Sequence, residues 1–245
     1  MRAYLVRVAI DQAFGGWNSP VNPATNEFVY VPIPELRAMR AELATPYSSL
    51  QPALARFAHA HPNARPQFVK LPPALGAVNM HLDPDFEHLT YGDNGERRGK
   101  GLTELSRGDI VTFYGGLQPV SACAHRLVYA LVGFYRVREV TLLKSVAASQ
   151  WAENAHTRCV EHAGRDVIIR AEQGCSGRLR RCIPIGEFRN GAYRLTPQIL
   201  EAWGGLSCRD GYLQRSAVPP QILEPHKFLA WFERQGAELI NANNF

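Results

Sequence analysis

The sequence has no apolar run near the ~20 residues that a membrane-crossing helix needs. Its longest apolar stretches, such as LVYALVGFY at 127–135, are the size of a strand. Cysteine is sparse and badly placed for bridging: Cys123, Cys159, Cys175, Cys182 and Cys208 are five, with no CxxC or CxxxC among them. That spacing argues against a zinc knuckle and against a disulfide framework, and points to a reducing, cytoplasmic setting. Several local chemical signatures are also missing. There is no GxxxxGK[ST] phosphate loop, no GxGxxG between strand and helix, no GxSxG elbow, no HExxH and no HxE…PCxxC deaminase set. Residues 1–10 carry two arginines and alternate like a strand, unlike a secretory leader. No internal repeat or low-complexity linker divides the chain, so a single domain over 1–245 is expected.

What is present is an ordinary globular balance, 46% apolar and 20% charged in 245 residues, enough to bury a full core. The formal net charge of +5 and a sequence pI of about 9.1 permit an anionic partner such as nucleic acid without requiring one. The most structured stretch runs from Gly101 to Val140. Ile110 to Tyr114 is β-branched and aromatic, and Gly115-Gly116 is expected to stop it. Arg126 to Val140 is too long for one flat strand, and Gly133 within it predicts a bulge or bend.

Elsewhere, Met1 to Ile10 is apolar on both faces and is expected to be a central strand. It leads into a turn with Gly15-Gly16, then Trp17 and Asn18. A Trp face can stack on a base and an Asn amide can read a base edge; the same residues also suit a tight turn packed on the core. EFVYVPI at 27–33 reads as a strand, and helices are expected within 34–61, over 142–155, over 196–203 and over 225–236. Thr196-Pro197 has the form of a helix start and Gly204-Gly205 of a stop. GCSGRLRR at 174–181 reads as a basic turn whose Arg178, Arg180 and Arg181 suit phosphates. Asn241 to Phe245 reads as a frayed tail.

The passage AVNMHLDPDFEHLTYGDNGERR is the most unusual. Between His81 and Glu96 it holds two His, three Asp and two Glu in 16 residues. His81, Asp83, Asp85, His88 and Asp93 are candidates for acid, base or ligand roles, against the plainer reading of a polar loop whose aspartates hold turns. No metal and no cofactor is assigned on this pattern. HTRCVEH sets Cys159 beside His156 and His162, but a catalytic Cys generally meets its His through the fold and not along the chain.

The order of these elements, with LSRGDIVTFYGG and the Gly-containing strand after it, resembles the PUA-like barrels of the EVE, YTH and ASCH group. Over nearly the whole chain, VRVAIDQAFGGWNSPVNPATNEFVYVPIPE, HLDPDFEHLTYGD, SGRLRRCIPIGEF and YRLTPQILEAWGGLSCRDGYLQRSA are similar to the third nucleotide-modification-associated domain family, bacterial and phage proteins linked to DNA base modification. The resemblance implies an α+β fold: a curved, mostly antiparallel sheet of five to seven strands forming a partly closed PUA-like barrel, with helices around it. It implies a pocket for a modified or flipped base, caged by Trp17, Tyr30, Tyr91 and Tyr114 and read by Asp11, Asn18, Asp83 and Asp85. Arg98, Arg178, Arg180 and Arg215 would hold phosphates. The partner expected is nucleic acid, DNA ahead of RNA, with other DNA-modification proteins possible and no membrane. The carboxylates at 81–96 sit poorly with a pure reader of a polyanion and keep a second reading open: an enzyme acting on a nucleobase or nucleotide through the His81–Asp93 loop.

Overall fold

The computed structural model describes residues 1–96, 100–162, 164–214 and 218–244. Among the described residues twelve strands are formed: β1 (Ala3–Arg7), β2 (Pro20–Val21), β3 (Ile33–Pro34), β4 (Met80–His81), β5 (Thr90–Asp93), β6 (Ile110–Pro119), β7 (Val128–Leu142), β8 (Val167–Ala171), β9 (Gly177–Pro184), β10 (Gly186–Arg189), β11 (Ala192–Leu195) and β12 (Leu239–Ile240). The α-helices are α1 (Gln51–Ala60), α2 (Pro66–Val69), α3 (Lys100–Thr103), α4 (Ala155–Arg158), α5 (Pro197–Ala202) and α6 (Pro225–Arg234). Eight strands make one mixed sheet along β1-β6-β7-β8-β5, with β2 added to β6, and β9 and β12 added beyond β7. Pairing is antiparallel except for β1 and β2 on β6. The fold is α+β with a large, mostly antiparallel sheet. No sheet closes on itself among the described residues, so the expected partial barrel closure is not found there.

β7 is the hub. Its first part lies between β6 and β9, and its last six residues turn away to pair with β8. The ladder slips beside Gly133 and again between Val137 and Glu139. A Cβ at Gly133 would stand 2.3 Å from the Phe86 ring. The predicted bend is therefore real, and the missing side chain makes room for the loop that carries the acidic passage. Phe86 packs edge-on to Tyr30, Phe113 and Tyr135. Aromatic and aliphatic side chains cover both faces of the sheet centre. Val111, Phe113 and Val132 face one cluster with Phe86, while Ile110, Leu131 and Phe134 face another capped by α6. There Phe134 stacks on Phe232 with centroids 4.6 Å apart.

Several expectations are corrected. β1 is the terminal strand of its sheet path, not a central one; its outer edge is covered by backbone bonds with Pro220 and Ile222. Gly115-Gly116 does not stop β6, which continues to Pro119 with a register shift after Phe113. Residues 34–43 form no α-helix, only a short 3-10 turn at Ala41–Leu43, because the segment extends from β3 to pair with β4. Residues 142–155 are also not one helix: β7 reaches Leu142, and two 3-10 turns follow, interrupted by extended residues at Val146 and Ala147. The basic turn at 174–181 is largely β9, held between β7 and β12. Helices α1, α5 and α6 stand close to where they were expected.

The segment after α6 is anchored, not frayed. Asn243 accepts from the Phe86 N–H at 2.8 Å and donates to Asp85 at 3.0 Å. The Asn244 amide bonds both the N–H and the C=O of Tyr30. These long-range bonds substitute for a regular ladder and satisfy backbone groups that would otherwise be buried without partners. Among the described residues, no helix is long and apolar enough to cross a membrane.

Gly133→Ala is expected to lower the unfolding free energy by about 1–3 kcal/mol, the usual cost of overpacking. A urea melt reads this, and an unchanged midpoint would mean that Phe86 moves aside freely.

Candidate active site

A cleft of about 1500 Å³ runs along one side of the molecule. Of the residues singled out in sequence, it takes in Asp11, Asn18, His81, Asp83, Tyr91 and Asp93. Its deep end is assembled from three separate stretches. β3 pairs with β4, which sets Glu35, just past β3, beside His81. β5 brings Tyr91 to Asp93, and α4 brings His156. Asn154 is the N-cap of α4 in a capping box with Thr157; its Oδ1 accepts from the His156 N–H at 2.9 Å and its Nδ2 donates to Asp83 at 2.8 Å. The residue that starts the helix thus also locates the aspartate. A Cβ on Gly92 would lie 2.3 Å from the His156 ring, so only glycine fits there.

Around Asp83 the geometry is specific. Its Oδ1 accepts from Asn154 and from the Gly92 N–H. Its Oδ2 faces two imidazoles, His81 Nε2 at 3.8 Å and His156 Nε2 at 3.7 Å. The other ring nitrogen of each histidine is backed by a carboxylate. His81 Nδ1 donates to Glu35 at 2.6 Å, and His156 Nδ1 stands 3.6 Å from Asp166, beyond hydrogen-bond reach but close enough to orient the ring electrostatically. Arg37 grips Glu35 with Nε and Nη2, both at 3.1 Å. Because a carboxylate only accepts, His81 carries a proton on Nδ1, and Nε2 is the nitrogen turned toward Asp83.

Burial and partners pull the carboxyl groups apart. Burial opposes the Glu35 charge, but the bonds from His81 and Arg37 outweigh it and hold this carboxyl well below its usual range. Asp83 is pushed up by burial, which the two histidines and Asn154 offset only in part. Asp93 is also raised, by burial and by the charges of Asp83 and Asp166. One cleft thus holds carboxyl groups displaced in opposite directions, the pattern that separates an acid from a base. Cys159 is buried and donates to Glu35 at 3.3 Å; its thiol is pushed up to about 12. It stays protonated at neutral pH, which removes it as a nucleophile.

The other predicted residues have structural duties. Asp85 is fully buried and binds Arg158 Nη2 at 2.6 Å, His88 Nδ1 at 3.1 Å, Asn243 and two backbone N–H groups. It holds the turn, and His88 belongs to that pair, away from the cleft lining. Trp17, Tyr30 and Tyr114 lie in the core and offer no open face to a base; the Tyr114 hydroxyl donates to the Leu213 carbonyl. Tyr91 lines the cleft but packs one side on Phe113. The edge groups are engaged already: Asp11 pairs with Arg7 and accepts from two backbone N–H groups, and the Asn18 amide bonds Gly116 and Gln12. Arg178 is buried over the Phe28 ring, and burial lowers it to about 10. Arg180 pairs with Glu238 at 2.6 Å. Neither lines the cleft, and Arg98 and Arg215 lie outside the described residues.

Sequence reasoning missed Glu35, Arg37, His156 and Asp166. In the sequence His156 stands out only as a neighbour of Cys159, and Glu35 falls inside an expected helix. Also missed was the cleft's other end, where Tyr129 stacks on Tyr193 at 4.2 Å and the exposed Phe188 meets Tyr193 edge-on.

The family model described as nucleotide modification associated domain 3 matches residues 2–212. The chain belongs to that family, and its description ties the chain to nucleotide modification. No curated protein and no solved structure matches the chain.

Asp85→Asn is expected to lower stability at pH 7 by about 3–5 kcal/mol, since it strands Arg158 as a buried uncompensated charge. The native Asp85 carboxyl is lowered: burial works against the charge, and His88 and Arg158 overcome it. Its contribution is therefore fully present above the unfolded value of about 3.9 and fades as pH falls through the native one. Denaturant melts from pH 7 to pH 3 should show the gap between wild type and variant narrowing at the acid end. A constant gap would refute the assignment.

Proposed function

We propose that this member of the nucleotide modification associated domain 3 family is an enzyme that acts on a nucleobase or nucleotide held in the cleft. The observation that carries this reading is the convergence of His81, Asp83 and His156 on one point at its deep end, with each imidazole backed by a carboxylate. Such backing orients the rings and, at His81 where it is a hydrogen bond, leaves Nε2 as the outward nitrogen. In this reading, His81, Asp83 and His156 bind and orient the reacting group, and Asp93, raised by burial, is the proton donor.

The reading as a passive reader of modified bases loses support because all four of its stacking candidates are buried, with Tyr91 alone also lining the cleft. A base can instead meet the exposed Phe188 ring, which is backed by Tyr193, with Arg7 and Arg126 also lining the cleft. Aromatic stacking tolerates any base and leaves selection to the polar end. The substrate is then a base in nucleic acid, DNA ahead of RNA, presented out of the stack. The finer family features expected in sequence, a PUA-like core and partnership with other modification proteins, fit this role.

The test is to incubate the purified protein with single- and double-stranded DNA and with free nucleotides, carrying ordinary and modified bases, and to analyse the digested nucleosides by mass spectrometry. A mass change is expected in wild type. Asp93→Asn should slow it about 10²–10⁴-fold, the range for loss of a general acid or base, while the circular dichroism spectrum is kept. Tight binding to one modified base with no mass change anywhere in the panel would overturn the enzyme and restore the reader.

A further inference from the structure

We infer that His81, Asp83 and His156 bind one divalent transition-metal ion at the deep end of the cleft. This deepens the catalytic reading by giving it a cofactor, and it rests on that reading for its purpose though not for its geometry. Three observations on three different stretches carry it.

The first is spacing. One ligand atom from each of the three residues lies within 4.8 Å of the others. The two Nε2···Oδ2 separations of 3.8 and 3.7 Å are too long for hydrogen bonds. Two ligands held about 2.0–2.1 Å from one ion at the tetrahedral angle stand about 3.4 Å apart. The gap between these groups is therefore one an ion fills with little movement, and one that direct bonding leaves open.

The second is the outer layer. His81 is fixed by Glu35, itself clamped by Arg37, while the His156 backbone N–H is held by the Asn154 cap and its ring faces Asp166 at 3.6 Å. Metal-bound histidines characteristically have a carboxylate or carbonyl behind the second nitrogen. Here both have one. Asp83 is likewise held through a single oxygen by Asn154 and the Gly92 N–H, which leaves the other to the histidines.

The third is burial. His156 is 7% exposed, and its Nε2 is aimed at the Asp83 carboxylate without reaching hydrogen-bond distance. The His156 and Asp83 side chains are 9% and 5% exposed, so the two facing atoms meet the cleft and little else. An ion between them binds both.

Two imidazoles and a carboxylate favour zinc or iron(II) over magnesium or calcium, whose sites are built from oxygen. Three protein ligands also leave a coordination position open toward the cleft, where water or a substrate atom can bind. Such an ion acts as a Lewis acid or lowers the pKa of bound water.

The test uses tag-free full-length protein stripped with EDTA and titrated with zinc(II), and with iron(II) under anaerobic conditions, by calorimetry. Cobalt(II) absorption serves as a spectroscopic check. One ion per chain is expected. His81→Ala and His156→Ala should each abolish the tight site, and Glu35→Gln, which keeps all three ligands, should weaken it about 10–100-fold. X-ray absorption at the zinc edge of the wild-type complex needs no variant and should show two imidazoles with at least one oxygen ligand. Absence of a tight site in folded wild type, or a ligand shell without imidazole, would overturn the inference even if nucleotide chemistry is observed. A tight site of this composition with no nucleotide chemistry would leave the ion in place and remove the proposed substrate.

Discussion

A carboxylate taken out of water must be met by charge and hydrogen bonds, and the arrangement that meets Asp85 sets the geometry of everything around it. Arg158, His88, Asn243 and two backbone N–H groups converge on it from the acidic loop, from α4 and from the segment after α6. The pair Asp85–Arg158 also works as a spacer. Asp83 lies two residues before one partner, and His156 lies two residues before the other. Docking the structural pair brings the chemical pair to 3.7 Å. The loop needs a buried ion pair at its base in order to present a second carboxylate at its rim.

The deep end of the cleft gathers Glu35, Asp83, Asp93 and Asp166 against two histidines and Arg37. A phosphate backbone does not enter such a place without cost, whereas a neutral base can. Arg7, Arg126 and the stacked Tyr129–Tyr193 pair also line the cleft, outside this acidic cluster. In the proposed reading this division orients the ligand, its base toward the carboxylates and its phosphates outward.

Features carried by local chemistry were legible in the sequence. The Thr196-Pro197 start of α5 and its Gly204-Gly205 stop, the apolar stripe of α6, and the bend at Gly133 each follow from a few neighbouring residues. The acidic passage was legible as a place of interest, but its members could not be sorted, because alternate residues of one loop face opposite ways: Asp83 toward the histidines, Asp85 toward Arg158. Aromatic residues were misread for the same reason. Trp17, Tyr30 and Tyr114 look like stacking groups on paper, but a large apolar side chain gains more by burial, and only the fold decides which rings remain open. Glu35 and His156 were missed because what makes them chemical is a partner many residues away. His81 is 46 positions from Glu35.

The clamp made by Asn243 and Asn244 has a consequence for the order of events during synthesis. Asp85 and its loop leave the ribosome long before Asn243, which follows 158 positions later. Until then, Asp85 lacks one of its donors and the Phe86 N–H lacks its acceptor. Both asparagines also lie beyond the span matched by the family model. The nascent chain therefore carries its acidic loop incompletely latched until Asn243 is made, and the cleft reaches its final form together with the docking of β12, the last strand of the sheet.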